Sequence, residues 1–400
     1  MIEKLEKYFK IHYFIFLLVF VSLIDSNNMM FHAKYFLFGT ILFLAFLYNP
    51  RHIFSIHKTL NYILLAFILF VPVYGILVGA ILKNNLSLGM PYFTGFFYFA
   101  LLYAVIANEV NITKILIVNL LIVSILSIAI FVLSKIDEKI FLDVYQYMVY
   151  DKQIAIFSTR YFWNTPYLMI HFNSAPLMIF GFGYFVHKLF NEKFNISNLV
   201  YVFPIFLFLT SIIFTVSRAL IFSALLIFCF EVFIFIWRKR KYLAISFLFL
   251  LISIALLILI KTNIISGLSD SSSSIKYLHL QSYYSLFTSS PHILFFGQGF
   301  GSTFFSEGFA SLTNRTELTY LEILRVLGFP IFVFIMFVVL QPFFRKKSIV
   351  NSWIFFSFLV YLLVVLNSNP YLLNSNGMLI LVTVYAVWLR NNETFIIKTK

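Results

Sequence analysis

Apolar residues arrive in long uninterrupted runs from one end of this 400-residue chain to the other, with short polar breaks between them. A helix that crosses a bilayer needs about 20 such residues at about 1.5 Å of rise each. The runs predict about twelve spans, near 11–24, 30–48, 60–82, 92–107, 112–134, 166–187, 199–215, 219–237, 242–260, 322–343, 351–368 and 377–389, of which the first, fourth and last are short. No repeat of fixed period is visible and no soluble domain is appended. The expected fold class is therefore all-α, a polytopic transmembrane helical bundle forming one integral membrane domain over 1–400.

Two connections are much longer than the rest, about 135–165 and about 261–321. Loops beyond about 12 to 15 residues are usually functional or disordered. These two are rich in Tyr and Phe, so they are expected to fold back onto one membrane face. In the second, Ile275 to Phe287 has the pattern of an interfacial amphipathic helix, and Ser269 to Ser274 that of a flexible linker.

Composition agrees with lipid as the solvent: 62% of residues are apolar and 11% charged, against about 45 to 50% and 25% in soluble domains. The high Phe count, 54, is read as a base-composition bias of the genome. A net charge of +14 would suggest nucleic acid in a soluble chain, but here Lys and Arg cluster between apolar runs. Lys4, Lys7 and Lys10, Arg51 and Lys58, Arg238 to Lys241, and Arg345 to Lys347 all fall in alternate connections, the bias of cytoplasmic anchoring. Both termini are then expected in the cytoplasm, and the two long connections outside. The N-terminal stretch resembles a signal peptide but lacks a small-residue cleavage site, so it is kept as a first span. A single cysteine, Cys229, excludes an internal disulfide or a cysteine metal centre.

Candidate chemistry collects on the expected outer side. Arg218 follows Ser217 in a tight outer turn, where a guanidinium and helix-start amides share one small volume suited to phosphate oxygens. The alternative is an arginine snorkelling to the interface. Arg160 ends the first long connection, and His171 and Asn173 enter the sixth predicted span, at a depth where polar groups need partners or a wet cavity. A packing role for His171 stands beside a binding one. Gly297, Gly299 and Gly301 follow no parallel strand, so a chain reversal with positive φ explains them better than dinucleotide binding.

Glu317, Tyr320, Leu321, Leu324 and Gly328 would share one face of a helix, which makes Glu317 a candidate general base and Tyr320 its neighbour. Asn314 with Glu317 also has the spacing of a capping box, which would give Glu317 a purely structural role. Arg315 and Arg325 flank it as candidate phosphate ligands, and Arg325 is also spaced to pair with Glu322. No metal-ligand motif and no Walker A sequence is present, so neither a metal nor a nucleotide cofactor is expected.

The SR turn at Ser217 and Arg218, the block from Arg160 to HFN at Asn173, the FFGQGFGS loop, and the E-x-x-Y-L-x-I-L-x-x-x-G pattern from Glu317 to Gly328 together resemble the O-antigen polymerase and ligase superfamily. The resemblance covers about 155–330. It implies a GT-C-like bundle in the bacterial inner membrane. The implied activity polymerises undecaprenyl-pyrophosphate-linked repeat units into O-antigen, capsular or exopolysaccharide chains without cofactor. It further implies that Arg218 and Arg160 hold pyrophosphate or sugar, assisted by Arg315 or Arg325. Partners would be the polyprenyl-linked oligosaccharides, the bilayer, a chain-length regulator and a flippase, with no nucleic acid. Ligases of the superfamily usually carry a histidine where this chain has Glu317, which favours the polymerase branch. O-antigen ligase, and a lipid-linked oligosaccharide flippase from a different class, are the alternatives.

Overall fold

The computed structural model describes residues 2–48, 56–162, 165–191, 196–249, 271–344, 352–367 and 371–392. It is mostly helical, and among the described residues five helices are long and apolar enough to cross a bilayer. These are α3 (Lys58–Ile81), α4 (Leu86–Ala107), α5 (Ile112–Ile136), α9 (Arg218–Lys239) and α12 (Thr319–Phe344). Shorter apolar helices pack among them, namely Ile11–Ile24 within α1 (Ile2–Ile24), α2 (Lys34–Tyr48), α8 (Asn198–Phe214) and α13 (Ser352–Val365). Residues 241–249 are also helical, and the rest of the predicted ninth span lies outside the described residues.

The last helix, α14 (Ser375–Asn391), forms the axis of the core, with Leu379, Ile380, Leu381, Val382, Val384 and Tyr385 having no accessible surface. Asn374 caps it by accepting from Gly377 N at 2.9 Å. The Tyr385 phenol donates to Val338 O at 2.6 Å, so a polar group in the middle of the bundle is satisfied by the neighbouring α12.

The sixth predicted span needs correction. Residues 165–172 are a strand, β2 (Thr165–Phe172), paired antiparallel with β1 (Ala155–Phe162), and the helix α7 begins only at Met178 and ends at Asn191. Between α5 and the hairpin lies a short amphipathic helix, α6 (Glu138–Tyr145), followed by a widened helical turn over Gln146–Asp151.

Connections gather at two ends of the bundle. At one end Asn27 Nδ2 donates to Gln153 O (3.1 Å), Asn376 Nδ2 to Asn173 O (3.4 Å), and Asn84 Nδ2 to Gln298 O (2.6 Å). These bonds join the α1–α2, α3–α4 and α13–α14 connections to both long ones. At the other end Arg390 Nη2 donates to Val110 O at 2.8 Å, and Arg238 donates to Asn191 Oδ1.

The second long connection contains α10 (Ser271–Ser289), α11 (Pro291–Phe296) and a small hairpin of β3 (Phe304–Ser306) and β4 (Ser311–Thr313). Between α11 and β3 the glycine-rich stretch 297–302 forms a strap across the bundle end. Gly328 (φ 77°, ψ 167°) breaks α12, which leaves the carbonyls of Arg325 and Val326 without helical donors. Gln298 N and Gly299 N take them, each at 2.8 Å. On its other side the strap lies so close to α3 that a Cβ on Gly299 would run into the backbone of Gly79. The positive φ expected of these glycines is present at Gly297, Gly299 and Gly301, at 72°, 75° and 79°.

Phe300 is driven between α3 and α4 as a wedge, its N–H donating to Gly75 O at 2.8 Å and its ring stacked on Tyr92 with centroids 5.6 Å apart. The slot is made by small residues, since a Cβ at Gly75 would lie 2.8 Å from the Phe300 ring and one at Gly89 2.6 Å from its Cβ. Without water to drive association inside lipid, such close packing is what fixes helices to one another.

Candidate functional site

Strap, α4, α10 and the start of α12 converge on a buried acid and base. Glu322 lies in the first turn of α12 and Arg325 one turn on, so the i,i+3 spacing joins them: Arg325 Nη2 is 2.6 Å from Glu322 Oε1, and Nε is 3.2 Å from Oε2. Both side chains are fully buried. A buried ion pair persists only when its remaining donors and acceptors are also engaged. Here Tyr92 donates to Glu322 Oε1 (3.1 Å) and Tyr283 to Oε2 (2.7 Å). Arg325 Nη1 donates to Gln298 Oε1 (2.7 Å) and Ser302 Oγ (2.8 Å), and Nη2 to Asn314 O (3.0 Å). Burial, then the charge of Glu322, pushes the Tyr283 phenol far above its ordinary pKa, so it stays a donor.

Arg325, expected as a phosphate ligand, has its donors engaged within the protein. A guanidinium has five N–H donors, and all are committed to Glu322, Gln298, Ser302 and Asn314. Arg325 is the keystone of the loop assembly.

Beside the buried pair stand two partly exposed charged side chains, Arg315 and Glu317. Arg315 is half-buried with its guanidinium 4.5 Å from the centre of the Tyr92 ring, so Phe300, Tyr92 and Arg315 form one stack. Its Nε is buried without a hydrogen-bond partner. Glu317 is half-exposed and 3.8 Å from Lys276 Nζ. Its charge also reaches two buried neighbours. His279 is held below its ordinary value by burial against a smaller opposing pull from Glu317. Tyr371 is pushed up to about 12 by burial first and by Glu317 second. His279 Nδ1 is 2.6 Å from Ser306 Oγ, pinning α10 to β3, while its Nε2 is buried and unpartnered.

The expected helical placement of Glu317 is also corrected. The helix starts at Thr319, two residues after Glu317. Thr316 Oγ1 accepts from Leu318 N (3.3 Å), and the Asn314 carbonyl is taken by Arg325, so no capping box forms between Asn314 and Glu317. The acid inside the first helical turn is Glu322. Tyr320 is inside the helix, but its phenol is spent on Leu362 O at 2.6 Å.

The other candidates sit elsewhere on the same end. Arg218 is the exposed first residue of α9, after the cap Ser217, whose N–H is held by Thr215 Oγ1 at 3.2 Å. Val216 takes a left-handed φ of 47° to make the turn that tight. Because α8 packs against β2, this turn lies on the side of the first hairpin. Arg160 faces outward from β1, opposite Tyr167 in the register. His171, on β2, shares that face of the hairpin and is buried with Nδ1 unpartnered. Burial, reinforced by the nearby Arg160 charge, pushes it down to about 4. Asn173 closes the hairpin base through Asn173 Nδ2 to Gln153 O (3.0 Å), a structural task.

Tyr92, Tyr283, Gln298, Ser302, Lys276 and His279 are the site residues that the sequence reading passed over. The one local signal was the glycine spacing Gly75, Gly79 and Gly89, which marks helix faces open to close approach. Compared with family models, with curated proteins and with solved structures, the chain gives no match.

Proposed function

We propose that this protein is a membrane glycosyltransferase that polymerises undecaprenyl-pyrophosphate-linked oligosaccharide repeat units into O-antigen, capsular or exopolysaccharide chains. The observation that carries the reading is a pair of opposite charges, one of them with an unpartnered donor, held side by side on one loop. A cation with an uncommitted buried donor, Arg315, and a half-exposed carboxylate, Glu317, stand on one short loop, and the saturated Glu322–Arg325 pair behind them keeps that loop rigid. In this reading about twelve passes, of GT-C-like arrangement, cross the bacterial inner membrane with both termini in the cytoplasm. The two charges then face outside, where lipid-linked repeat units are presented.

Glu317 takes the proton from an acceptor sugar hydroxyl as that oxygen forms its bond to the anomeric carbon of the donor glycan. The bond from that carbon to the pyrophosphate oxygen breaks, and the leaving polyprenyl pyrophosphate carries away the electron pair. Arg315, with Arg218 and Arg160 on the neighbouring rim, offsets the growing charge of the leaving group. Lys276, 3.8 Å away, aims Glu317. Arg325 acts only through the scaffold.

The test uses a strain deleted for the gene and complemented with variants. Glu317→Gln and Arg315→Ala are expected to leave single-repeat glycans in place of long chains, with membrane levels of the protein unchanged. Long chains from Glu317→Gln would refute the base role. Loss of all exported glycan in the deletion strain would point to a flippase, and accumulation of finished polymer on the lipid carrier to a ligase.

A further inference from the structure

The unit formed by α10, α11 and the β3–β4 hairpin buries His279, Ser282, Ser302, Ser306 and Thr316 on its inward side, together with the rings of Tyr283 and Phe304. Its outward side carries a row of large apolar and aromatic residues beside exposed Gln281, Ser285 and Thr288. On α10, Tyr277 (58%), Leu280 (47%) and Tyr284 (74%) are exposed at i, i+3 and i+7, one helical row. On the hairpin, Phe305 and Leu312 are cross-strand partners, and both are exposed. Phe295 and Phe296 on α11 are exposed as well.

Water would disfavour so many exposed large apolar and aromatic side chains on one small unit. The outward row of α10 carries no charge, and the nearest charged side chains, Lys276 and Glu317, neutralise one another. The unit is also continuous with lipid-exposed helix. Tyr74 of α3 donates to Phe296 O at 2.8 Å, and the same helix exposes Leu77 and Ile81, while α12 exposes Phe329 just past its break. Tyrosine, with an apolar ring and a polar tip, is the residue enriched where acyl chains meet headgroups. The exposed acid of the unit, Glu307, lies in the hairpin turn.

We infer that this unit is seated in the lipid itself, at the boundary between headgroups and acyl chains, with the row Tyr277, Leu280, Tyr284 turned to lipid and the Glu307 turn left in water. The inner face of α10 supplies Tyr283 to Glu322 and His279 to Ser306, so the depth at which α10 rests in the bilayer sets the height of Arg315 and Glu317. The inference stands independently of the glycan polymerase reading, because its test measures depth and needs no activity.

The unmodified chain, reconstituted in vesicles of phosphatidylethanolamine and phosphatidylglycerol carrying acyl-chain diazirine lipid, is irradiated and digested. Peptides containing Tyr277 to Tyr284 are expected to carry lipid adducts at several-fold higher yield than the peptide containing Glu307. Spin labels at 277, 280, 284 and 307 in a Cys229→Ser background then give the accessibility to oxygen and to a water-soluble nickel chelate. A several-fold excess of oxygen over nickel at the first three sites, reversed at 307, is expected. Equal nickel access at all four sites would overturn the inference in favour of a water-exposed lid. Protection of 277, 280 and 284 from both reagents, with no lipid adduct, would overturn it in favour of a covering protein.

Discussion

The phenol oxygen of Tyr283 lies 2.7 Å from Glu322 Oε2, and Tyr92 reaches the other carboxylate oxygen from the opposite side at 3.1 Å. Two tyrosines from separate helices thus complete an ion pair that α12 makes with itself. Removing one partner of a buried pair costs about 3 to 5 kcal/mol, whereas replacing both with apolar groups of similar size is often neutral. Glu322→Gln and Arg325→Met are each expected to lower the unfolding temperature in detergent strongly. The double variant Glu322→Leu/Arg325→Met should recover a measurable part of that loss. A double variant as unstable as the sum of the singles would show that the pair does not act as a unit.

Tyr283→Phe removes a hydrogen bond to a charged group, worth about 1.5 to 3 kcal/mol, and with it the 2.7 Å bond to Thr316 Oγ1. It should therefore fall between wild type and Glu322→Gln in the same unfolding assay. Tyr92→Phe should cost less, since its bond is longer.

At the strap, Gly299 combines a φ of 75° with backbone contact to Gly79. Any Cβ there meets main chain that cannot rotate away, so Gly299→Ala is expected to cut the yield of folded, detergent-extracted protein sharply. Gly39 of α2 has open space where its Cβ would be, and Gly39→Ala should be neutral or slightly stabilising. Fluorescence-detected size exclusion of the two variants makes the comparison.

Histidine titration gives the protein an acid limit. His171 is held down to about 4 from an ordinary 6.5, chiefly by burial. The native state therefore binds fewer protons than the unfolded chain between those two values. Stability from this group is fully present above 6.5 and is lost as pH falls from there through 4, about 3 kcal/mol in all. His279, buried against Ser306 and Phe309 and also lowered, adds in the same direction. Unfolding temperatures measured across this range should drop on acidification, and His171→Phe should flatten the drop.

Arg315 acts by stacking and by charge together. Arg315→Lys keeps the charge and loses the planar stack on Tyr92, so it should not rescue the activity that Arg315→Ala removes. Chain-length profiles of glycan from the two variants provide the check.

Much of the bundle was legible because lipid-solvated helices announce themselves by run length. The pairing of Arg325 with Glu322 was legible too, because i,i+3 spacing is local. The sixth span was misplaced because TPYLMIHF is apolar and reads equally as helix or strand; only its pairing with Ala155–Phe162 decides. Glu317 was set in a helix because the pattern E-x-x-Y-L fits one, but Thr316 and Arg325 consume the groups that would have started it there. Tyr92 and Tyr283 were invisible in principle, since they meet Glu322 across 230 and 39 residues.

Gly328 turns a single rod into two pieces joined by a swivel. The short upper piece, bearing the acid and the guanidinium, belongs mechanically to the strap; the long lower piece belongs to the bilayer. The break lets the orientation of the buried pair follow the strap and not the course of the helix below it.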